Sequence, residues 1–460
     1  MNTSERFLFL NDKVKILQLI PNHSVPRYTS YPTTPSFNEK INSNIYESWL
    51  KNLDKNKKIS LYIHIPFCNS LCYFCGCHTS AVNTHKPIEN YINSLLKEIK
   101  ILSKELKNKF KVSHIHFGGG TPSILTKGQL RIIMQSIKEK FNILKNCKIA
   151  IEIDPRFYRK NLTTILNEFS FNRISIGVQD FSKNVQNLIN RIQSFETTRE
   201  IVNHFRKNNI PDINIDLMYG LPGQTVETFS DTLKKINILE PERISIFGYG
   251  HVPWKNKRQK LIKGEPLNNK NRLKFYQLAS DYFLNKGYEA FGIDHYAKKT
   301  SSIIQKVKKR KLQRNFQGYS EDSAEILIGI GASSISHLPN GYIQNTTQTT
   351  KYINSLKKNK LPISRGHEFN LEDKVYGAII KELMCYLNTD ISHVAKKFDK
   401  NINIFSPNIN KLKPFIDAKY VSFQNYILSI KPEARPLVRN ICSAFDQYFE
   451  PKKERYSFGI

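Results

Sequence analysis

The chain has 460 residues, 40% of them hydrophobic and 28 of them phenylalanine, which is enough for a large domain with a smaller one beside it. It holds no apolar run of about 18 residues, and its start, Met1-Asn2-Thr3-Ser4-Glu5-Arg6, offers one early basic residue and a brief apolar patch, so neither a transmembrane helix nor a secretory signal is expected. The formal charge of +31 comes from lysines spread along the whole chain, with only short runs such as Lys306 to Lys311, and it reads as solvated lysine faces rather than a nucleic-acid surface.

In chain order, Pro26-Arg27-Tyr28-Thr29-Ser30-Tyr31-Pro32-Thr33 is a polar, aromatic, proline-bounded arm that cannot stay helical. A short helix from Ile45 to Leu53 leads to a first strand, Ile59 to Ile65, and after a cysteine-rich loop an amphipathic helix runs from Pro87 to about Leu106. The same unit then repeats. Strands from Val112 to Phe117, Lys148 to Ile153, Arg173 to Val178, Ile213 to Met218 and Arg243 to Phe247 each run into a polar or glycine-rich turn, and a helix is expected from Lys127 to Phe141. A helix from Lys270 to Asn285 follows, and then two small-residue or polar turns, Gly292 to Ala297 and Gly329 to Ser334. From Leu371 onward the pattern is mainly helical, with a charged tail over Lys452 to Tyr456.

Near-continuous apolar strands alternating with helices predict an α/β fold with a parallel sheet, which right-handed crossovers curl into a partial (β/α)6 TIM-like barrel. The division expected is an N-terminal arm over residues 1–45, a catalytic barrel over 46–345 and a smaller, mainly helical domain over 346–460. Because chemistry collects at the C-terminal strand ends of such barrels, the six turns name the site.

The first turn is the most telling. Cys68, Cys72, Cys75 and Cys77, four of the seven cysteines, fall within ten positions with the spacing C-x3-C-x2-C-x-C. A structural zinc site usually draws on two separated pairs, whereas [4Fe–4S] clusters are held by thiolates on a short loop. Cys68, Cys72 and Cys75 would then ligate three irons and leave the fourth open; a zinc loop or a disulfide knot would use the same sulfurs. An odd, clustered cysteine set suits a reducing cytoplasm. Cys147, Cys385 and Cys442 sit in apolar surroundings and read as core thiols.

The other turns offer ligand contacts. Gly118-Gly119-Gly120 permits close backbone approach but lacks the spacing of nucleotide loops. Glu152 interrupts an apolar strand and would either pair with a helix lysine or bind the ribose or amine of a cofactor. Asp216 and Arg191 would pair with each other, or else take ribose hydroxyls and a carboxylate. Cys77 could be a spectator thiol.

The three-cysteine spacing resembles the radical S-adenosylmethionine enzymes, in which the open iron chelates the cofactor's methionine and the fold is a partial barrel. A longer set of segments resembles one family among them. Tyr62 to Cys68, Cys75-Gly76-Cys77, Gly119 to Pro122, Ser175 to Phe181, Asn190 to Gln193, Asp216 to Pro222, Arg314 to Tyr319 and Arg439 to Cys442 are similar, in the same order, to the oxygen-independent coproporphyrinogen III oxidases. In that family the arm at Pro26 to Thr33 lies near the active-site mouth.

That resemblance implies decarboxylation of two propionates of coproporphyrinogen III to vinyl groups by 5′-deoxyadenosyl radicals, giving protoporphyrinogen IX in haem synthesis. It implies one [4Fe–4S] cluster and two S-adenosylmethionine molecules. The first would contact Tyr62, Gly119, Glu152 and Ile335, and the second Phe74, Gly120, Thr121, Gln179, Arg191, Asp216 and Gly250; Tyr62 joins Cys68, Cys72 and Cys75 as a catalytic residue. One departure is visible: the family's Phe-Asn-Tyr-Ala-His turn stands here as Phe247-Gly248-Tyr249-Gly250-His251. Arg27 and Arg314 are candidate partners for substrate carboxylates. A cytoplasmic monomer reduced by a donor such as flavodoxin or ferredoxin, with no nucleic-acid partner, is expected. Rival readings are a related haem chaperone, a haem-opening methyltransferase, or a zinc-loop nucleic-acid protein.

Overall fold

The computed structural model describes residues 16–20, 24–107, 110–322 and 324–451. Its centre is a twelve-stranded sheet. Six strands form the middle in chain order: β1 (Lys58–Ile65), β2 (Lys111–Gly119), β3 (Asn142–Ile153), β4 (Arg173–Gln179), β5 (Asp212–Tyr219) and β6 (Arg243–Gly248). Every neighbouring pair among them is parallel, with Ile63 beside Phe117 and Asp216 beside Ser245. This is the partial barrel expected, with two additions.

A further strand, Ile326–Ile330, pairs parallel with β1 on its other side, and an antiparallel meander of Ile335–Leu338, Gly341–Asn345 and Ile363–Glu368 continues from it. The first two residues of the small-residue turn at Gly329 to Ser334 therefore belong to a strand and the other four form the turn. Residue 345 lies within a bonded strand pair, Gly341–Asn345 with Ile363–Glu368. Beyond β6 the sheet ends in the antiparallel strands His295–Lys298 and Tyr288–Phe291.

Helices cover the outside through apolar stripes at helical spacing. Lys86–Glu105 buries Ile88, Tyr91, Ile92, Leu95, Ile99 and Leu102, and Lys127–Lys140 starts on a capping box in which Thr126 and Gln129 satisfy each other's backbone donors.

The strand bodies differ from the apolar runs expected. β4 and β5 alternate strictly, the isoleucines buried outward against helices while Arg173, Ser175, Gly177, Gln179 and Asn214, Asp216 face an interior cavity. A helix-covered parallel sheet that curls around a cavity has one dry face and one wet one, so period-two alternation returns. The first residues of β4, β5 and β6 form the floor: Arg173 and Arg243 share Asp212 and Glu321 at 2.9–3.3 Å.

The N-terminal arm is pinned to the C-terminal region and to the end of β6. Tyr28 Oη donates to Asp446 at 3.0 Å, Gln447 N–H donates to Tyr31 Oη at 3.1 Å, and Arg27 donates to the Gly248 carbonyl at 2.8 Å. The C-terminal region is mainly helical, led by Leu371–Tyr386 and Val438–Ser443, but it also holds a three-stranded sheet of Asn388–Asp390, Ile427–Ile430 and Val421–Gln424. The charged tail from Lys452 lies outside the described residues. Among the described residues no helix is long and apolar enough to cross a membrane.

Candidate active site

The cysteine loop is closed at its base by a two-residue bridge, Phe67–Cys68 pairing with Ser80–Ala81. The glycine turn after β2 is bonded to the same base: Gly120 N–H donates to the Ile65 carbonyl at 2.9 Å and Thr121 N–H to the Phe67 carbonyl at 2.8 Å. Two turns distant in sequence are thereby fixed side by side.

Each of the three proposed ligand sulfurs has donors of its own. Thr79 and Thr121 hydroxyls lie 3.2 and 3.4 Å from Cys68 Sγ. Arg156 and Arg191 each donate to Cys72 Sγ at 3.4 Å, and Cys77 N–H donates to Cys75 Sγ at 3.4 Å. Hydrogen bonds and nearby cations favour a thiolate. Cys75 is drawn down to about 6 by its hydrogen bonds with Cys77 against burial, with Arg258 and Arg191 assisting. Burial pushes Cys68 up despite its threonines.

Asp154 holds the two arginines in place, taking Arg156 at 2.7 Å and Arg191 at 3.3 Å, with all three side chains under a tenth exposed. Burial alone would raise the Asp154 carboxyl; Arg191 and Arg156 outweigh it and hold it below the usual range. Arg191 thus pairs with Asp154 and not with Asp216, as one sequence alternative had it. Asp216 instead accepts from Ser175 and Asn214 at 3.0 and 2.8 Å, and burial pushes its carboxyl up.

A cavity of about 360 Å³ opens at the C-terminal ends of these strands. Cys68, Cys72, Cys75, Phe74, Gly119, Gly120, Thr121, Glu152, Gln179, Arg191 and Asp216 all line it, and so does Cys77. Tyr62, Gly250 and Ile335 lie outside its lining. Tyr62 sits behind the wall, its ring stacked on His116, whose Nε2 lies 3.1 Å from Glu152 Oε1. Glu152 therefore pairs with a strand histidine rather than a helix lysine, and it also accepts from Gly119 N–H at 3.2 Å. The Gly250 carbonyl accepts from Gln259, and Ile335 packs its backbone into the space left by Gly329, the neighbour of Tyr62 across the sheet.

Space at the glycine turn is tightly used. A Cβ on Gly118 would stand 2.7 Å from Glu152 Oε1, one on Gly119 2.6 Å from the His64 ring, and one on Gly120 2.6 Å from the Phe67 carbonyl; Gly119 also has φ of +117°. His64 is kept neutral, its imidazole lowered to about 4 by burial, so one nitrogen can accept from Tyr62 Oη at 3.1 Å while the other donates to the His78 carbonyl at 3.2 Å. Gln179 has φ of +71°, a left-handed conformation that a non-glycine residue adopts at a cost, and it does so on the cavity wall. At the departure noted in the β6 turn, a Cβ on Gly248 would meet Arg272 Nη2 at 2.8 Å, so glycine makes room for that guanidinium.

Among the described residues no three His, Cys, Asp or Glu side chains converge at single-ion spacing. A four-iron cluster takes one thiolate per iron corner, so its ligand sulfurs stand farther apart than those of a single ion, and three cysteines lining one cavity suit that donor set.

Sequence reasoning missed several residues that build this site. Asp154 and Arg156 lie in the turn that follows β3, where only an Asp-Pro-Arg sequence marks them, and His116 shows only as an imidazole at an inward position of β2. Asn256, Arg258 and Gln259 donate to the carbonyls of Cys75, Cys77 and Phe74 at 2.6, 3.2 and 3.1 Å. They come from a short 3-10 helix, Lys257–Leu261, and its cap Asn256, which carry no recognisable motif.

The Radical SAM superfamily profile matches residues 62–236. An oxygen-independent coproporphyrinogen III oxidase of Cereibacter sphaeroides is 40% identical over 438 residues, 94% of this chain and 96% of the relative. One from Bradyrhizobium diazoefficiens is 37% identical over 95% of this chain and 97% of its own. The solved coproporphyrinogen III oxidase of Escherichia coli, described as a radical SAM enzyme, superposes with a TM-score of 0.88 at 33% identity, covering 93% of this chain and all of that one. By identity along nearly its whole length, and by fold, the chain belongs to the oxygen-independent coproporphyrinogen III oxidases of the Radical SAM superfamily.

Proposed function

We propose that the chain carries out the oxygen-independent oxidative decarboxylation of two propionates of coproporphyrinogen III, giving protoporphyrinogen IX in porphyrin synthesis. The observation that carries this is the single cavity in which three separately hydrogen-bonded sulfurs face a glycine cradle, in a chain whose relatives named for that activity align end to end. Each propionate gives up a hydrogen atom from its β-carbon, carbon dioxide and one electron.

Cys68, Cys72 and Cys75 would hold a [4Fe–4S] cluster. When bound, the cluster with S-adenosylmethionine supplies hydrogen-atom abstraction from carbon. The chain's own residues do the rest. Arg156 and Arg191, fixed by Asp154, orient Cys72 and offset its negative charge. The bare backbone at Gly119 and Gly120 admits a ligand against the strand, and His116 holds Glu152 toward the cavity as an acceptor for an amine or ribose hydroxyl. Phe74, Phe247 and Phe291 give the cavity apolar walls, which keep water from competing for the reacting carbon.

Two cofactor molecules are the finer reading, one toward Tyr62, Gly119, Glu152 and Ile335, the other toward Phe74, Gly120, Thr121, Gln179, Arg191, Asp216 and Gly250. What supports it is that most of these residues line one cavity. A cytoplasmic monomer that draws its electron from flavodoxin or ferredoxin completes the proposal, with the arm ending near 45 and the helical cap, expected from 346, beginning only after the sheet's strand Ile363–Glu368.

The test is anaerobic reconstitution followed by incubation with coproporphyrinogen III, S-adenosylmethionine and a reductant. Vinyl product with release of carbon dioxide is expected, and equilibrium dialysis should give two cofactors per chain. Cofactor cleavage without vinyl porphyrin would overturn the assignment.

A further inference from the structure

Beyond Phe247, His295 and Gln317, which it shares with the cysteine cavity, lies a second cavity of about 200 Å³. Four arginines line it, from three separate stretches of chain: Arg27 from the N-terminal arm, Arg314 from the hairpin that follows the barrel, and Arg435 and Arg439 from the C-terminal region. Arg272 stands behind its wall, its guanidinium over the Tyr219 ring at 5.6 Å. The one acidic residue in the lining, Asp294, is engaged by His295 Nδ1 at 2.6 Å and also faces Arg27 and Arg314, which leaves one carboxylate against four guanidiniums.

Positioning comes from neutral groups. Arg27 donates to the Gly248 carbonyl, Arg314 to the carbonyls of Tyr28 and Arg27 at 3.0 and 3.1 Å, and Arg435 to that of Gly292. A main-chain carbonyl fixes a guanidinium without neutralising it, so the charge stays available to an anion. Like charges pressed together in a protein wall oppose folding unless a ligand returns the favour. Arg439 carries that cost visibly, lowered to about 9 by burial and by the nearby Arg27.

We propose that this cavity binds the propionate carboxylates on the edge of the substrate turned away from the reacting carbon, with Arg27, Arg314, Arg435 and Arg439 as their cationic partners. It rests on the reading of the reaction above. The volume suits carboxylate arms rather than a macrocycle, and the shared wall at Phe247, His295 and Gln317 lets one molecule place an arm here while another edge reaches the cysteine cavity. Arm, hairpin and C-terminal cap therefore select a polyacidic substrate together.

The experiment titrates the full chain with coproporphyrin III, the stable oxidised tetra-acid, by fluorescence quenching, and with its tetramethyl ester. The tetra-acid should bind in a salt-sensitive way and the ester at least tenfold more weakly. Arg435→Gln, at a half-buried position, should weaken tetra-acid binding and raise KM for coproporphyrinogen about ten- to hundredfold, as expected for loss of one charge-assisted contact. Iron content, S-adenosylmethionine binding and kcat should stay near wild type. Arg435→Lys should recover part of the affinity lost in Arg435→Gln. Equal affinity for acid and ester, or an unchanged KM in Arg435→Gln, would overturn this inference while leaving the reaction in place; a wild-type chain that forms no vinyl product would overturn the reaction itself.

Discussion

Asp154→Asn tests the part of the site on which cysteine positioning depends. Asparagine keeps the shape and one acceptor but removes the charge facing two buried guanidiniums, at 2.7 Å from Arg156 and 3.3 Å from Arg191. Removing one partner of a buried ion pair leaves an uncompensated charge and costs about 3–5 kcal/mol. Here two cations lose the same partner, and the cavity on one side admits water that recovers part of the loss, so about 3 kcal/mol is expected. That is a large fraction of the ~5–15 kcal/mol that stabilises an ordinary domain. The assay is urea unfolding of the metal-free chain followed by circular dichroism, where a lower midpoint at unchanged slope reports stability alone. Adding Arg156→Gln to Asp154→Asn should recover part of the loss, because one orphaned charge disappears with it. A midpoint change worth less than about 1 kcal/mol, or a double variant whose losses simply add, would refute the argument that Asp154 exists to hold these arginines over Cys72.

Gly120→Ala should sharply reduce iron retention after reconstitution, since its Cβ would press on the Phe67 backbone one residue before Cys68; normal iron content would contradict the cradle. Cys72→Ser should lose the iron–sulfur absorbance near about 400 nm, whereas Cys385→Ser, in a buried apolar cluster, should keep it, read by absorbance and iron assay. Glu98 is buried and accepts from Tyr352, Gly331 and Asn345, and burial raises its carboxyl from 4.5 to about 7. Between those values the folded chain binds more protons than the unfolded one, so this group removes about 3 kcal/mol of stability as pH rises through the window and nothing more above it. Glu98→Gln should flatten that slope in urea unfolding followed from pH 5 to 8; a constant difference from wild type across the range would count against it.

The parallel core was legible because its isoleucine-rich strands and intervening helices obey simple periodicities. Its edges were not. Ile326–Ile330 returns to pair with β1 more than 250 residues after it in sequence, a contact no local pattern encodes. The C-terminal three-stranded sheet was hidden for another reason: its strands are three or four residues long, too short for alternation to register beside the helical stretches around them.

The site divides along the same line. The cysteine spacing and the glycine turn announce themselves because backbone geometry requires those residue types in those places. His116 and Asp216 are chosen by what faces them across the sheet, so their roles depend on strand register, while Asp154 and Arg156 sit in the turn after β3 and are chosen by the cysteine loop and Arg191 that the fold brings to them. Even so, one signal was present and undervalued. Arg-Ile-Ser-Ile-Gly-Val-Gln at β4 and Asp-Ile-Asn-Ile-Asp-Leu at the start of β5 alternate apolar residues with polar ones or glycine. In a sheet whose strands are joined by covering helices, a second face that is polar cannot be packed against more protein, since each buried polar group would need its own partner. It must line water or a ligand. Strict alternation inside a βα repeat therefore marks an interior cavity, and the polar residues nearest the C-terminal strand ends, Gln179 and Asp216 among them, are the ones it brings to whatever binds there.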